Sequence, residues 1–166
     1  MTIVVYTNSY VSVADADVYL NDVSPDWATL TLAVKERLLV GATRFLDNSP
    51  WIGSSVTDLQ PLAWPREDLS YLDEKLGRIV TVTSGTLPRP VFVAVCNQAL
   101  YLYAYPSLLE LRSTQEFEQI KIGPIELTDS DSNLLRTIPT VPIAAVRSHL
   151  RPFLTTRSAN TYWRAW

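Results

Sequence analysis

Residues 91–105 hold only two clearly polar side chains, Asn97 and Gln98. The run is too long for a buried strand, and Leu87-Pro88-Arg89-Pro90 before it marks a helix start. Prolines in a first turn sacrifice no helix hydrogen bond. Pro106 closes the segment. A helix that is apolar nearly all round is buried nearly all round. In a chain of 166 residues it must form the centre of a bundle, or a central helix that also meets another subunit.

The rest of the chain is read around that helix. Residues 4–10 are a short β-prone entry. Ser12 is placed to cap a helix running roughly to Asn21, with Ala16, Tyr19 and Leu20 as its apolar face. Pro25 and Trp27 fall in a linker. A second helix is expected over about 29–46, where Val34, Leu38, Ala42, Phe45 and Leu46 recur at helical steps. Lys35, Glu36 and Arg37 take its other face, and Asn48-Ser49-Pro50 stops it. Residues 48–87 show no long periodic element and read as a long irregular loop. Within it, 68–76 suggests a helical turn and 78–83 a weak strand. Alternation on both sides of Gly123-Pro124 predicts a β-hairpin over about 116–127. A last helix is expected over about 142–150, ended by Pro152. The predicted fold is mainly α: a small four-helix domain over 1–150 with one β-hairpin, and an extended C-terminal arm over 151–166.

Composition narrows the function. A single Cys96 and a single His149 exclude an intrachain disulfide, a cysteine zinc cluster and a histidine-rich metal site. Cys96 reads as a small core residue and His149 as a surface or interface residue. The pairs Asp15/Asp17 and Asp129/Asp131 read as solvated acids, because no twelve-residue calcium loop follows either one. No phosphate-cradling glycine motif and no nucleophile–base pair is present. No catalytic residue, cofactor or metal is therefore expected. Neither a membrane span nor a signal peptide is read from the sequence.

Charge is unevenly spread. Residues 1–131 hold all 17 acids and 9 of the 14 basic residues, whereas 132–166 hold five arginines and no acid. Those arginines are Arg136, Arg147, Arg151, Arg157 and Arg164, and Tyr162, Trp163 and Trp166 lie among the last five residues. Arginine with tyrosine and tryptophan is the composition of interface hot spots. On a single-stranded DNA reading the rings would stack on bases and the guanidinium groups would meet phosphates, but aromatic and basic residues are not interleaved along a strand-rich groove and the body is net acidic. On the DNA reading the five tryptophans would report oligonucleotide binding by a fluorescence change.

Read in order, several runs resemble one family. They are residues 8–20 (Asn8-Ser9-Tyr10-Val11-Ser12 onward), residues 35–47 followed by Trp51-Ile52-Gly53, and Gln60-Pro61-Leu62-Ala63-Trp64-Pro65-Arg66. Leu87-Pro88 and the 121–127 hairpin complete the order. The sequence resembles tailed-bacteriophage head-tail adaptor (head completion, connector) proteins, whose members are often labelled DnaT-like ssDNA-binding. That resemblance implies a structural protein of the virion neck, assembled in the host bacterial cytoplasm. It implies a homo-oligomeric ring of 12 copies beneath the portal protein, with genomic dsDNA passing through its lumen. Arg157, Tyr162, Trp163, Arg164 and Trp166 would then bind the portal. Ile120, Ile122, Gly123, Pro124 and Ile125 would meet a neighbouring subunit or a downstream tail or neck protein. The alternative is a single-stranded DNA-binding module.

Overall fold

The computed structural model describes residues 2–73, 76–106 and 144–155. About half of them are helical, and two small antiparallel sheets accompany the helices. In chain order the elements are α1 (Val13–Val23), α2 (Pro25–Thr29), α3 (Leu32–Asp47), β1 (Ser54–Ser55), β2 (Arg66–Glu67), β3 (Ser70–Asp73), β4 (Arg78–Thr81), α4 (Arg89–Ala104) and α5 (Ala144–Leu150). A 3-10 turn, Arg151–Phe153, follows α5. The predicted hairpin over 116–127 and the arm beyond residue 155 lie outside the described residues.

Local chemistry accounts for the helix ends. The Ser12 side chain accepts from the Asp15 amide and opens α1. Pro25 starts α2 and Pro90 sits in the first turn of α4. The helix predicted over 29–46 is α3, and the stretch read as a linker before it holds a further short helix, α2, which the extended Leu30 caps before Thr31 opens α3. The four-helix count therefore does not hold, and five helices stand among the described residues. Trp27, assigned to a linker, is fully buried within α2. Its Nε1 donates to Asp17 Oδ1 at 2.7 Å, and Lys35 Nζ reaches the same oxygen at 2.9 Å. Lys35 also lies over the Trp27 ring, 5.6 Å from its centroid. This is why Lys35 is only 8% exposed, although it was expected on the solvent face. Its stem covers indole while its charge stays paired.

The core is built on α4, which packs against both α3 and α5. Val91, Ala94, Val95, Ala99 and Leu102 are buried, together with Leu39 and Leu46 of α3 and Val146 and Leu150 of α5. Cys96 is buried in the same core, and burial pushes its thiol up to about 12. The burial of α4 fails at its two ends, at Arg89 in the first turn and at Tyr103 and the capping Tyr105 in the last.

Residues 48–87 are not irregular throughout. β1 pairs with β2, and β3 pairs with β4 through Tyr71↔Val80 and Leu72↔Ile79. The helical turn expected over 68–76 is instead strand β3. Its alternation turns Tyr71 toward Phe153, with ring centroids 4.7 Å apart, while Leu72 faces solvent. Gln60 organises the connection between β1 and β2. Its Oε1 accepts from the Val56 and Thr57 amides, and its Nε2 donates to the Leu62 and Pro65 carbonyls. Arg66 donates to the carbonyls of Ile52, Ala63 and Gly53. Trp64, followed by a cis bond to Pro65, is fully buried against Trp51 and Phe153. The Gln60–Arg66 run thus packs within the chain itself.

Gly53 has a φ of +77°, and a Cβ there would lie 2.7 Å from both the Glu67 carbonyl oxygen and Leu69 Cγ. Gly53→Ala is expected to lower stability by about 2 kcal/mol through backbone strain and this clash. Urea unfolding followed by circular dichroism measures it. An unchanged midpoint would show that the turn relaxes without strain.

Residues 151–155 close the domain rather than leave it. Phe153 is fully buried, and its carbonyl accepts from the Ile52 amide at 2.9 Å. The Thr155 amide donates to the Pro50 carbonyl at 2.8 Å. The boundary expected after residue 150 falls inside this packing.

Candidate nucleic-acid interface

The N-terminal segment folds back on itself before α1. Asn8 Oδ1 accepts from the Val4 amide at 2.8 Å, and Asn8 Nδ2 donates to the Thr2 carbonyl at 3.0 Å. The Tyr6 amide donates to the Ser9 carbonyl at 2.8 Å, with Tyr6 itself at a φ of 61°. The Tyr10 amide then donates to Thr43 Oγ1 at 3.1 Å, which docks the segment on α3. This loop, α1 and the start of α4 enclose an open cleft of about 400 Å³. Tyr6, Asp15, Val18, Leu87, Arg89 and Phe92 line it.

Arg89 is the cation of the cleft. It is exposed at the first position of α4, with its guanidinium carbon 4.9 Å from the Phe92 ring centroid and 5.5 Å from that of Tyr19. The two rings meet edge to face, 5.9 Å apart at 73°. The spacing follows from α4, because residues three apart share a helix face. Such a guanidinium keeps its N–H groups for an anion while the rings hold its plane. Asp15 supplies the opposite charge. Its Oδ2 accepts from Ser12 Oγ at 2.5 Å, and its Oδ1 has no partner among the described residues. Burial raises the Tyr6 hydroxyl above the usual tyrosine range, opposed by a backbone hydrogen bond from Leu87 and reinforced by the Asp15 charge.

The arrangement offers an apolar wall, the Phe92 ring, one guanidinium and one carboxylate in a single open concavity, with the Tyr19 ring beside Arg89 but outside the lining. A base can stack there while its phosphate meets Arg89. The exposed end of α4 has a second aromatic pair, Tyr101 and Tyr105, with centroids 4.8 Å apart. Among the described residues no guanidinium lies over that pair.

Arg157, Tyr162, Trp163, Arg164 and Trp166 lie outside the described residues, as do Ile120, Ile122, Gly123, Pro124 and Ile125. Sequence reading missed Arg89, Phe92 and Tyr6 as site residues and placed Tyr19 only on an apolar face. The available signal was Arg89 between two prolines, three residues before an aromatic at the open end of a helix.

Neither a curated protein nor a solved structure matches the chain. One family model does match, over residues 2–165, and it carries the description "Putative DnaT-like ssDNA binding protein". This corrects the expected adaptor reading. Nothing in the match points to a head-tail adaptor, to portal, tail or neck proteins, to a twelve-copy ring or to dsDNA in a lumen. The match supports the alternative, single-stranded DNA, over a structural role in a virion. With nearly its whole length covered, the chain belongs to the DnaT-like ssDNA-binding protein family.

Proposed function

We propose that this domain is a non-catalytic single-stranded DNA-binding module, with the Tyr19–Arg89–Phe92 cluster as its central contact. The observation that carries the reading is an exposed guanidinium held over two rings, with Arg89 and Phe92 lining an open cleft. The family description supports it. Bases stack on aromatic faces whatever their identity, and arginine neutralises the phosphate between them. Arg157 and Arg164 are proposed as further phosphate contacts, and Tyr162, Trp163 and Trp166 as further stacking residues. The formal net charge of −3 confines phosphate to these basic places and keeps the number of ionic contacts small.

The test is fluorescence anisotropy of an end-labelled single-stranded 20-mer across a salt series. The label belongs on the DNA, because Trp27, Trp51 and Trp64 are buried and report a bound strand poorly. Phe92→Ala is expected to weaken binding by about tenfold, the loss of one stacked base. Arg89→Gln is expected to weaken binding and to flatten the plot of log affinity against log salt by about 0.7, one phosphate contact on a single strand. Circular dichroism checks that both variants remain folded. No binding by the wild-type chain at low salt, or equal binding of the matching duplex, would overturn the proposal.

A further inference from the structure

The carboxylate in the cleft is the feature that plain phosphate binding leaves unexplained. Asp15 faces the same concavity as Arg89, and a carboxylate there repels a phosphate backbone. It is not tied up by an ion pair among the described residues, whereas Asp17 on the same helix is paired with Lys35. Its one side-chain partner among the described residues is the Ser12 hydroxyl, on Oδ2, which leaves Oδ1 and a second lone pair of Oδ2 available. An ionised carboxylate is acceptor-only. The group that fits it must therefore present donors, and two adjacent donors satisfy it best.

Among the four bases, the Watson–Crick edge of guanine alone has two neighbouring donors, N1–H and the N2 amine. Adenine and cytosine each set one amine beside an acceptor, which meets the carboxylate with like polarity. Thymine has one N–H between two carbonyls. Splayed, unstacked bases are read on this edge. On the reading proposed above, we infer that the cleft selects guanine, with the base against Phe92, its N1–H and N2 amine on Asp15, and its phosphate on Arg89.

Three labelled 12-mers test this: all-thymine, all-thymine with one central guanine, and the same strand with hypoxanthine in place of guanine. Hypoxanthine keeps N1–H and lacks the N2 amine. The wild-type chain is expected to bind the guanine strand about tenfold more tightly than either of the others, the worth of one bidentate contact. Asp15→Asn is expected to remove that difference and to raise all-thymine affinity, because the charge that repels the phosphate backbone is gone. This variant keeps an acceptor for Ser12, so the α1 cap survives. Equal binding of all three strands by the wild-type chain would overturn guanine selection and leave single-stranded binding standing. A preference that persists in Asp15→Asn would overturn the assignment to Asp15. Failure of every strand to bind would remove the underlying reading itself. Excess dGMP separates a guanine in a strand from a free nucleotide. Weak competition is expected, and full displacement at equimolar dGMP would overturn the strand as the ligand.

Discussion

Replacing Trp64 with alanine is expected to remove about 4 kcal/mol of folding stability, the largest single effect anticipated for this chain. Trp64 is fully buried and meets Trp51 edge to face at 5.5 Å and Phe153 at 5.9 Å. Those contacts join the 48–87 segment to the C-terminal turn. Truncation leaves a cavity among rings fixed from both sides, so collapse into it is limited. Trp64→Phe separates packing from polarity. Trp64 Nε1 has no hydrogen-bond partner among the described residues, so phenylalanine loses volume but no bond. Its expected loss is only about 1 kcal/mol. Guanidinium unfolding by far-ultraviolet circular dichroism measures both. A loss below about 1 kcal/mol for Trp64→Ala would mean that the segment unfolds apart from the helical core.

The second large effect is expected at Asp47, the last residue of α3. Its Oδ1 accepts from the Tyr10 hydroxyl and from the Ala63 amide, the latter at 2.7 Å. Its carbonyl accepts from Trp51 Nε1 at 3.2 Å. One residue thus ties the N-terminal segment, α3 and the 48–87 loop together. Burial, then the hydrogen bond and charge of Asp47, push the Tyr10 hydroxyl far above the usual tyrosine range. Asp47→Ala strands both donors, at an expected cost of about 3 kcal/mol. Asp47→Asn keeps an oxygen for both donors and is expected to lose about 1 kcal/mol. Equal losses for the two variants would show that the side chain acts by volume rather than by accepting these bonds.

How much of this was legible in sequence depended on where each determinant lies. The cap at Ser12, the stop at Asn48 and the proline start of α4 are local, so the main helices could be placed within a few residues. The short helix α2 was not legible. Trp27 becomes helical and buried because Asp17 and Lys35, from two other helices, share its indole. β1 and β2 are two residues each, too short for alternation to register, and Arg66 fixes that turn through backbone carbonyls. The cleft was missed for the same reason. Arg89 is unremarkable along the chain and gains its meaning only when helix packing sets Tyr19 beside Phe92. The mainly helical class was legible, because it rests on periodicity that needs no partner.

The hydrogen bonds between Pro50 and Thr155 join residues 105 apart in the chain. That clasp has a consequence for the order of events during synthesis. Val146, Leu150 and Phe153 are all fully buried, so α4 lacks part of its wall until those residues have left the ribosome. Helices α1 to α3 can pair as they emerge, since their contacts are close in sequence. The Trp51–Trp64 segment must wait with its rings uncovered until Phe153 arrives. Closing so long a loop is slow, and the interval before closure is when the nascent chain is most open to aggregation or chaperone capture. Val146, Leu150 and Phe153, the last core residues among those described, therefore bear on the moment at which this domain becomes a folded protein.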